Sequence, residues 1–179
     1  MTDRIEWLNY LTQRMGDKYH EVIVKTHLDF NREILVAPLY DFGGKQKGFL
    51  QYNWKGVKKF NSCLDSKYYT IQKDRPLMWG LEFLNPSDKY VFVCEGFFDS
   101  IKLMQYGSSL AALSNYALHF KQQLSLLPQI PVIVCDGDSA GRKLARGYNK
   151  EYIVNCPDGL DPGDMSKREL ENLLEKYLK

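Results

Sequence analysis

The sequence predicts an α/β protein whose second half folds as a mostly parallel sheet, behind a small basic α+β lobe. Three observations predict it. Two short apolar runs, 91–94 (VFVC) and 132–135 (VIVC), are continuous rather than alternating, as strands buried on both faces of a parallel sheet are. Each run is followed by a segment of helical spacing, 97–106 and 139–148. Each also ends on an acid beside a glycine, Glu95-Gly96 in one case and Asp136-Gly137-Asp138 in the other. Ligand sites in open α/β sheets lie at the carboxyl ends of the strands. Membership of one sheet therefore brings Glu95, Asp136 and Asp138 to the same edge.

In chain order, residues 1–16 carry Ile5, Leu8, Leu11 and Met15 at helical spacing and predict an amphipathic helix. Strand-like segments follow at 21–25, 34–40, 47–53, 58–60 and 67–72, with Gly43-Gly44 marking a hairpin turn between two of them. LMWGLEFL (77–84) reads as a short helix and NPSDK (85–89) as a linker. The expected organisation is thus an N-terminal lobe, 1–87, and an α/β domain, 88–179. In the latter, strands at 90–94, 109–113, 131–135 and 151–155 alternate with helices at 97–106, 118–127, 139–148 and 166–178. That alternation implies parallel strands joined by right-handed crossovers. Ser166, with Glu169 three residues on, forms a capping box for the last helix.

Composition bounds the function classes. The 179 residues are 44% hydrophobic and 13% aromatic, which suffices for a core and excludes a disordered chain. No apolar stretch approaches a membrane span and the N-terminus has no signal-peptide apolar region, so a cytoplasmic protein is expected. Cys63, Cys94, Cys135 and Cys156 form no C-x-x-C pair, which argues against a zinc ribbon; the last three lie in or beside strands and suit small buried hydrophobes. His20, His27 and His119 are dispersed, without ligand spacing. The net charge of +2 supplies no global basic field. Between Lys45 and Arg75, however, eight basic residues face two acids, interleaved with Tyr52, Trp54, Phe60, Tyr68 and Tyr69. Such a stretch suits a path for single-stranded nucleic acid, charges on phosphates and rings on bases. It equally suits the solvated face of a β-lobe whose aromatics form the core.

The acids carry the chemistry. Glu95, Asp136 and Asp138 are hard oxygen ligands with no histidine or cysteine motif beside them, a set that favours Mg2+ or Mn2+ over zinc or copper. Clustered carboxylates repel one another, and a cation gives them a reason to coexist. Such ions serve phosphoryl or nucleotidyl transfer by neutralising charge on attacking and leaving oxygens. Asp99, one helical turn past Glu95, lies on the same side as a ligand or an orienter. Asp-Gly-Asp is also a plain turn. No EF-hand frame follows it, and no G-x-G-x-x-G follows the first α/β strand, so calcium-loop and dinucleotide-binding readings fall away.

VFVCEGFFDSIKLMQYG followed by VIVCDGDSAGRKLA resembles the TOPRIM domain shared by DnaG-type primases, topoisomerases and some nucleases. Three further stretches are similar to primase catalytic cores, bacterial and phage: APLYDFGGKQKGFLQY, then KKFNS with Lys73 and LMWGLEFL, and the acidic PDGLDPGD. Together they cover about residues 34 to 165. The resemblance implies a TOPRIM sheet and a DNA primase-type nucleotidyltransferase, making RNA primers from NTPs on a single-stranded DNA template. It implies that Glu95, Asp136 and Asp138 hold Mg2+ or Mn2+, helped by Asp99, Asp161 and Asp164. It further implies that Lys58, Lys59, Asn61 and Lys73 contact template, primer or triphosphate, with Lys58 among the catalytic groups, and that Arg142 contacts a phosphate. The alternatives are a TOPRIM nuclease using the same acids to cleave, or a non-catalytic replication factor that kept the fold.

The chain also departs from the family pattern. Tyr52 stands where an arginine is usual, Ser114 and Asn115 replace the Gly-Thr of an L-G-T loop, and Asp164 is shifted by one position. The family's zinc-binding and helicase modules have no counterpart in these residues, so a separate zinc-bearing primase subunit or the replicative helicase is the expected partner. A bacterial cell is the expected setting, with a phage gene as a compatible source.

Overall fold

The computed structural model describes residues 2–57, 65–72, 77–114 and 117–178, and the chain divides into two units, Met1–Trp79 and Gly80–Lys179. In the first unit, helix α1 (Thr2–Met15) buries Trp7, Leu11 and Met15 completely, an i, i+4, i+8 row. Ile5, expected in that stripe, is 61% exposed. The large indole of Trp7 centres the buried arc on its own side of the helix and leaves Ile5 at the rim.

The strand expected at 21–25 is instead the short helix α2 (Tyr19–Ile23), joined to α1 by a single 3-10 turn at Gly16–Lys18. Only Val22 is buried there, while Val24 is exposed. The Lys18–Glu21 ion pair at 2.7 Å has helical i, i+3 spacing. Next come β1 (His27–Asp29), β2 (Ile34–Tyr40), β3 (Gln46–Asn53) and β4 (Tyr68–Gln72), antiparallel in the order β1-β2-β3-β4. The β2–β3 hairpin turns at Gly44, whose φ of 74° lies in the left-handed region, and Asp41 Oδ1 accepts the Gly43 and Lys45 amides. The strand expected at 58–60 falls outside the described residues. The helix expected at 77–84 reduces to one 3-10 turn, Leu81–Phe83.

The second unit alternates as the sequence predicts: β5 (Tyr90–Cys94), α3 (Phe97–Leu103), β6 (Ser109–Ala111), α4 (Ala117–Leu124), β7 (Ile130–Cys135), α5 (Ser139–Leu144), β8 (Ile153–Asn155) and α6 (Lys167–Leu174). The four strands are parallel, in the order β6-β5-β7-β8. Val91 to Cys94 and Val132 to Cys135 are essentially inaccessible, which explains their unbroken apolar character. On one face Phe92, Cys94, Val132, Val134, Val154 and Cys156 pack with Leu170, Leu174 and Tyr177 from the C-terminal end. Ser166 caps α6 through the expected box with Glu169. Cys94, Cys135 and Cys156 are buried free thiols, and Cys63 lies outside the described residues.

That strand order positions the site. The chain leaves β5 towards β6 and leaves β7 towards β8, in opposite directions. The two central strands therefore flank the switch point where crevices open in α/β sheets. Among the described residues no helix is long and apolar enough to cross a membrane.

Candidate active site at the carboxyl edge of the parallel sheet

Glu95 directly follows β5 and Asp136 directly follows β7, so neighbouring strands deliver both carboxylates to the same edge. Each is half-buried, and each has a buried oxygen, Glu95 Oε2 and Asp136 Oδ1, without a hydrogen-bond partner among the described residues. Burial raises the Glu95 carboxyl, with the Asp138 charge adding to it and Lys143 opposing. Asp136 is pushed from 3.8 up to about 7, first by burial and then by Glu95, Asp161, Asp138 and Asp164. Five acids thus share one electrostatic neighbourhood. Two of them hold lone pairs that no described residue takes up.

Asp138 is exposed and caps α5, its Oδ1 accepting the Gly141 amide at 2.9 Å. The acidic loop after β8 closes over the Asp-Gly-Asp turn. Gly137 donates to the Leu160 carbonyl at 2.8 Å, and Gly159 donates back to the Gly137 carbonyl at 3.1 Å. A Cβ on Gly137 would stand 1.9 Å from the Pro157 carbonyl oxygen, and one on Gly141 would stand 2.3 Å from that of Asp136. Glycine is required at both positions because backbone passes there. Within the loop, Asp161 Oδ1 accepts the Asp164 amide at 2.8 Å, which curls the two acids into one turn.

Asp99 is 7% exposed, and its Oδ1 accepts the Gly163 amide at 3.0 Å. That bond ties α3 to the acidic loop. Leu113, in the loop after β6, donates to the Glu95 carbonyl at 2.9 Å with a left-handed φ of 55°. A non-glycine residue held in that region is strain the surrounding structure must fix, here through the bond to Glu95. Arg142 is exposed on α5, whereas Lys143 is the cation whose field reaches Glu95. Sequence reasoning passed over Lys143, since a lysine one place beyond a motif arginine carries no signal of its own.

In the first unit, Tyr52 is fully buried and its hydroxyl donates to that of Tyr10 at 2.8 Å, with the rings stacked at 6.3 Å. A buried, tyrosine-bonded phenol cannot stand in for an arginine on a phosphate. Lys58, Lys59, Asn61, Lys73 and Asn115 lie outside the described residues. Among the described residues, no three acid, histidine or cysteine side chains form a ready-made metal cage.

The fold that presents these acids is the TOPRIM-containing α/β fold of bacterial primase catalytic cores. The zinc-binding and RNA polymerase domains of Aquifex aeolicus primase match with a TM-score of 0.60 at 20% identity, over 89% of this chain and 45% of that one. A DnaG primase catalytic domain solved with single-stranded DNA matches with a TM-score of 0.55 at 21% identity, over 93% of this chain and 64% of that one. In sequence, the DNA primase of Clostridium acetobutylicum is 29% identical over 157 residues, 80% of this chain and 26% of that protein. The chain spans about a quarter of the length of the curated relatives it matches. No protein-family model matches the chain.

Proposed function

We propose that this chain is the catalytic core of a DNA primase, a nucleotidyltransferase that joins ribonucleotides on a single-stranded DNA template. One observation carries the reading: two adjacent parallel strands end on carboxylates with unpartnered buried oxygens, in a fold shared with primase cores. Unused lone pairs of that kind are costly unless a ligand takes them up. An all-oxygen donor set fits Mg2+ or Mn2+, so the residues present suit the metal.

Glu95, Asp136 and Asp138 are the residues that would hold it, with Asp161 and Asp164 adding negative charge from the loop. A bound divalent ion supplies neutralisation of charge on the attacking and leaving oxygens of the transfer. The chain's own part is to present the acids. The turn at Gly137 aims Asp136 and Asp138 out of the sheet, the Leu113 amide fixes the Glu95 backbone, and Asp99 holds the loop. Lys143 offsets part of the negative field and is suited to meet a phosphate, as Arg142 is from the exposed side of the same helix. Lys58, Lys59, Asn61 and Lys73 are assigned to template, primer and triphosphate, with Lys58 among the catalytic groups. The partners are single-stranded DNA, NTPs and a zinc-bearing primase subunit or replicative helicase.

The test is incubation with labelled single-stranded DNA, NTPs and Mn2+. Extension to short RNA–DNA products, lost in Asp136→Asn, is the expected result. Cleavage of the labelled strand would assign the same acids to a nuclease instead, and no reaction with or without replication proteins would remove the catalytic role.

A further inference from the structure

Asp99 and Lys102 stand three residues apart on α3 and so share one face of the helix. Asp99 Oδ1 accepts the Gly163 amide at 3.0 Å. Lys102 Nζ donates to the Gly163 carbonyl at 2.8 Å and also to the Met165 carbonyl. The helix thus takes hold of both polar groups of Gly163 and of the carbonyl two residues on, and Asp164 lies between the two anchored residues. Asp161 is tied to Asp164 through that residue's own amide. The other end of the loop is held separately, by backbone bonds to Gly137. Removing the α3 grip would leave the stretch that carries Asp161 and Asp164 held only at its two ends, by the bonds to Gly137 on one side and by buried Met165 and the cap of α6 on the other. Lys102 is half-buried, and both of these carbonyls belong to the acidic loop. Partly burying an ammonium is unfavourable unless hydrogen bonds replace its water, as these carbonyls help to do.

We propose that Lys102 is a positioning residue for the acidic site: by gripping the backbone at Gly163 and Met165, it sets Asp161 and Asp164 beside the strand-end carboxylates. It touches neither substrate nor reacting atoms, and no strand-end motif points to it. The proposal rests on the reading of these acids as a divalent-cation site, so its test separates the two. MnCl2 is titrated into the full chain bearing Lys102→Ala, Lys102→Arg, Asp136→Asn or Lys176→Ala, and amide exchange at Gly163 is followed without metal. Lys176 is the control, because its Nζ also bonds a backbone carbonyl in the same unit, that of Glu151 at 3.2 Å.

Lys102→Ala should weaken Mn2+ binding by about tenfold to a hundredfold, the range for groups that orient ligands, and should speed exchange at Gly163. Lys102→Arg should recover part of both, and Lys176→Ala should change neither. Unaltered Mn2+ affinity in Lys102→Ala, with Asp136→Asn abolishing binding, would overturn the proposal and leave the cation site standing. Equal weakening by Lys176→Ala would reduce Lys102 to general stability and overturn it too. If Asp136→Asn binds Mn2+ normally, the cation site itself falls, and the positioning role falls with it whatever the exchange at Gly163 does. Should the alanine variant not fold, Lys102→Gln, which keeps most of the length and a donor, carries the same comparison.

Discussion

Asp136 is the residue on which the electrostatics converge, and its raised carboxyl has a definite sign. With an ordinary value of 3.8 in the unfolded chain and about 7 in the folded one, the native state holds the proton more tightly. Asp136 then adds no penalty below about pH 4, destabilises increasingly from there to about pH 7, and contributes a constant penalty above. Metal-free protein should therefore lose thermal stability relative to Asp136→Asn across that window, with a level difference above it. Melting curves of the two proteins at several pH values check this, and parallel curves throughout would contradict the assigned burial. Adding Mn2+ should reverse the trend, because an ion that prefers the carboxylate displaces the proton. Such residues were legible in the sequence, since an acid at the end of a buried run has few structural uses. Lys143 and Lys102 were not, because they act through a field and through backbone carbonyls, neither of which leaves a residue pattern.

Among the elements, the turn after β7 is the most exacting. Gly137→Ala would push a methyl into the Pro157 carbonyl oxygen, a backbone atom rather than part of a movable side chain. The variant should lose about 2 kcal/mol or more, as strained core changes do, and bind Mn2+ poorly; chemical denaturation and titration read the two effects. Ser166→Ala, by contrast, removes a helix cap and should cost about 1 kcal/mol with Mn2+ affinity intact. Element prediction succeeded where burial on both faces wrote a continuous apolar run, as in β5 and β7. It failed at α2, where five residues are too few to separate a helical period from a strand's. It also missed β1, a three-residue strand that, among the described residues, has only one neighbouring strand and no fully buried side chain. The acidic loop's place over Gly137 is set by backbone bonds, so only the resemblance to primase cores pointed to Asp161 and Asp164.

At the scale of the whole molecule, the net charge of +2 leaves nucleic-acid affinity to local patches. If Lys58, Lys59 and Lys73 meet phosphates, alanine at each should lower the salt slope of single-stranded DNA binding by about 0.7. Lys167, which is exposed and lies 3.9 Å from Glu171, should leave the slope unchanged when replaced. Fluorescence anisotropy over a salt series measures it, and identical slopes for all four variants would assign the basic stretch to solvent. A core relying on so small a patch should initiate poorly alone at about 0.15 M salt. Primer synthesis should rise when a pre-annealed primer or a zinc-bearing partner supplies local concentration.

The bonds from α3 to the acidic loop join residues up to 64 positions apart. Contacts of that separation form late, because a long stretch of chain must be ordered before they repay its closure. During vectorial synthesis, Glu95 and Asp99 emerge first, Asp136 and Asp138 follow, and Gly163 arrives only near the end. The strand-end acids are therefore made well before the loop and the helix that complete their surroundings. A stop before Gly163 would remove the partner of Asp99 and Lys102 and also Leu170, Leu174 and Tyr177, which cover one face of the sheet, so the same last stretch of chain completes both the proposed site and the core.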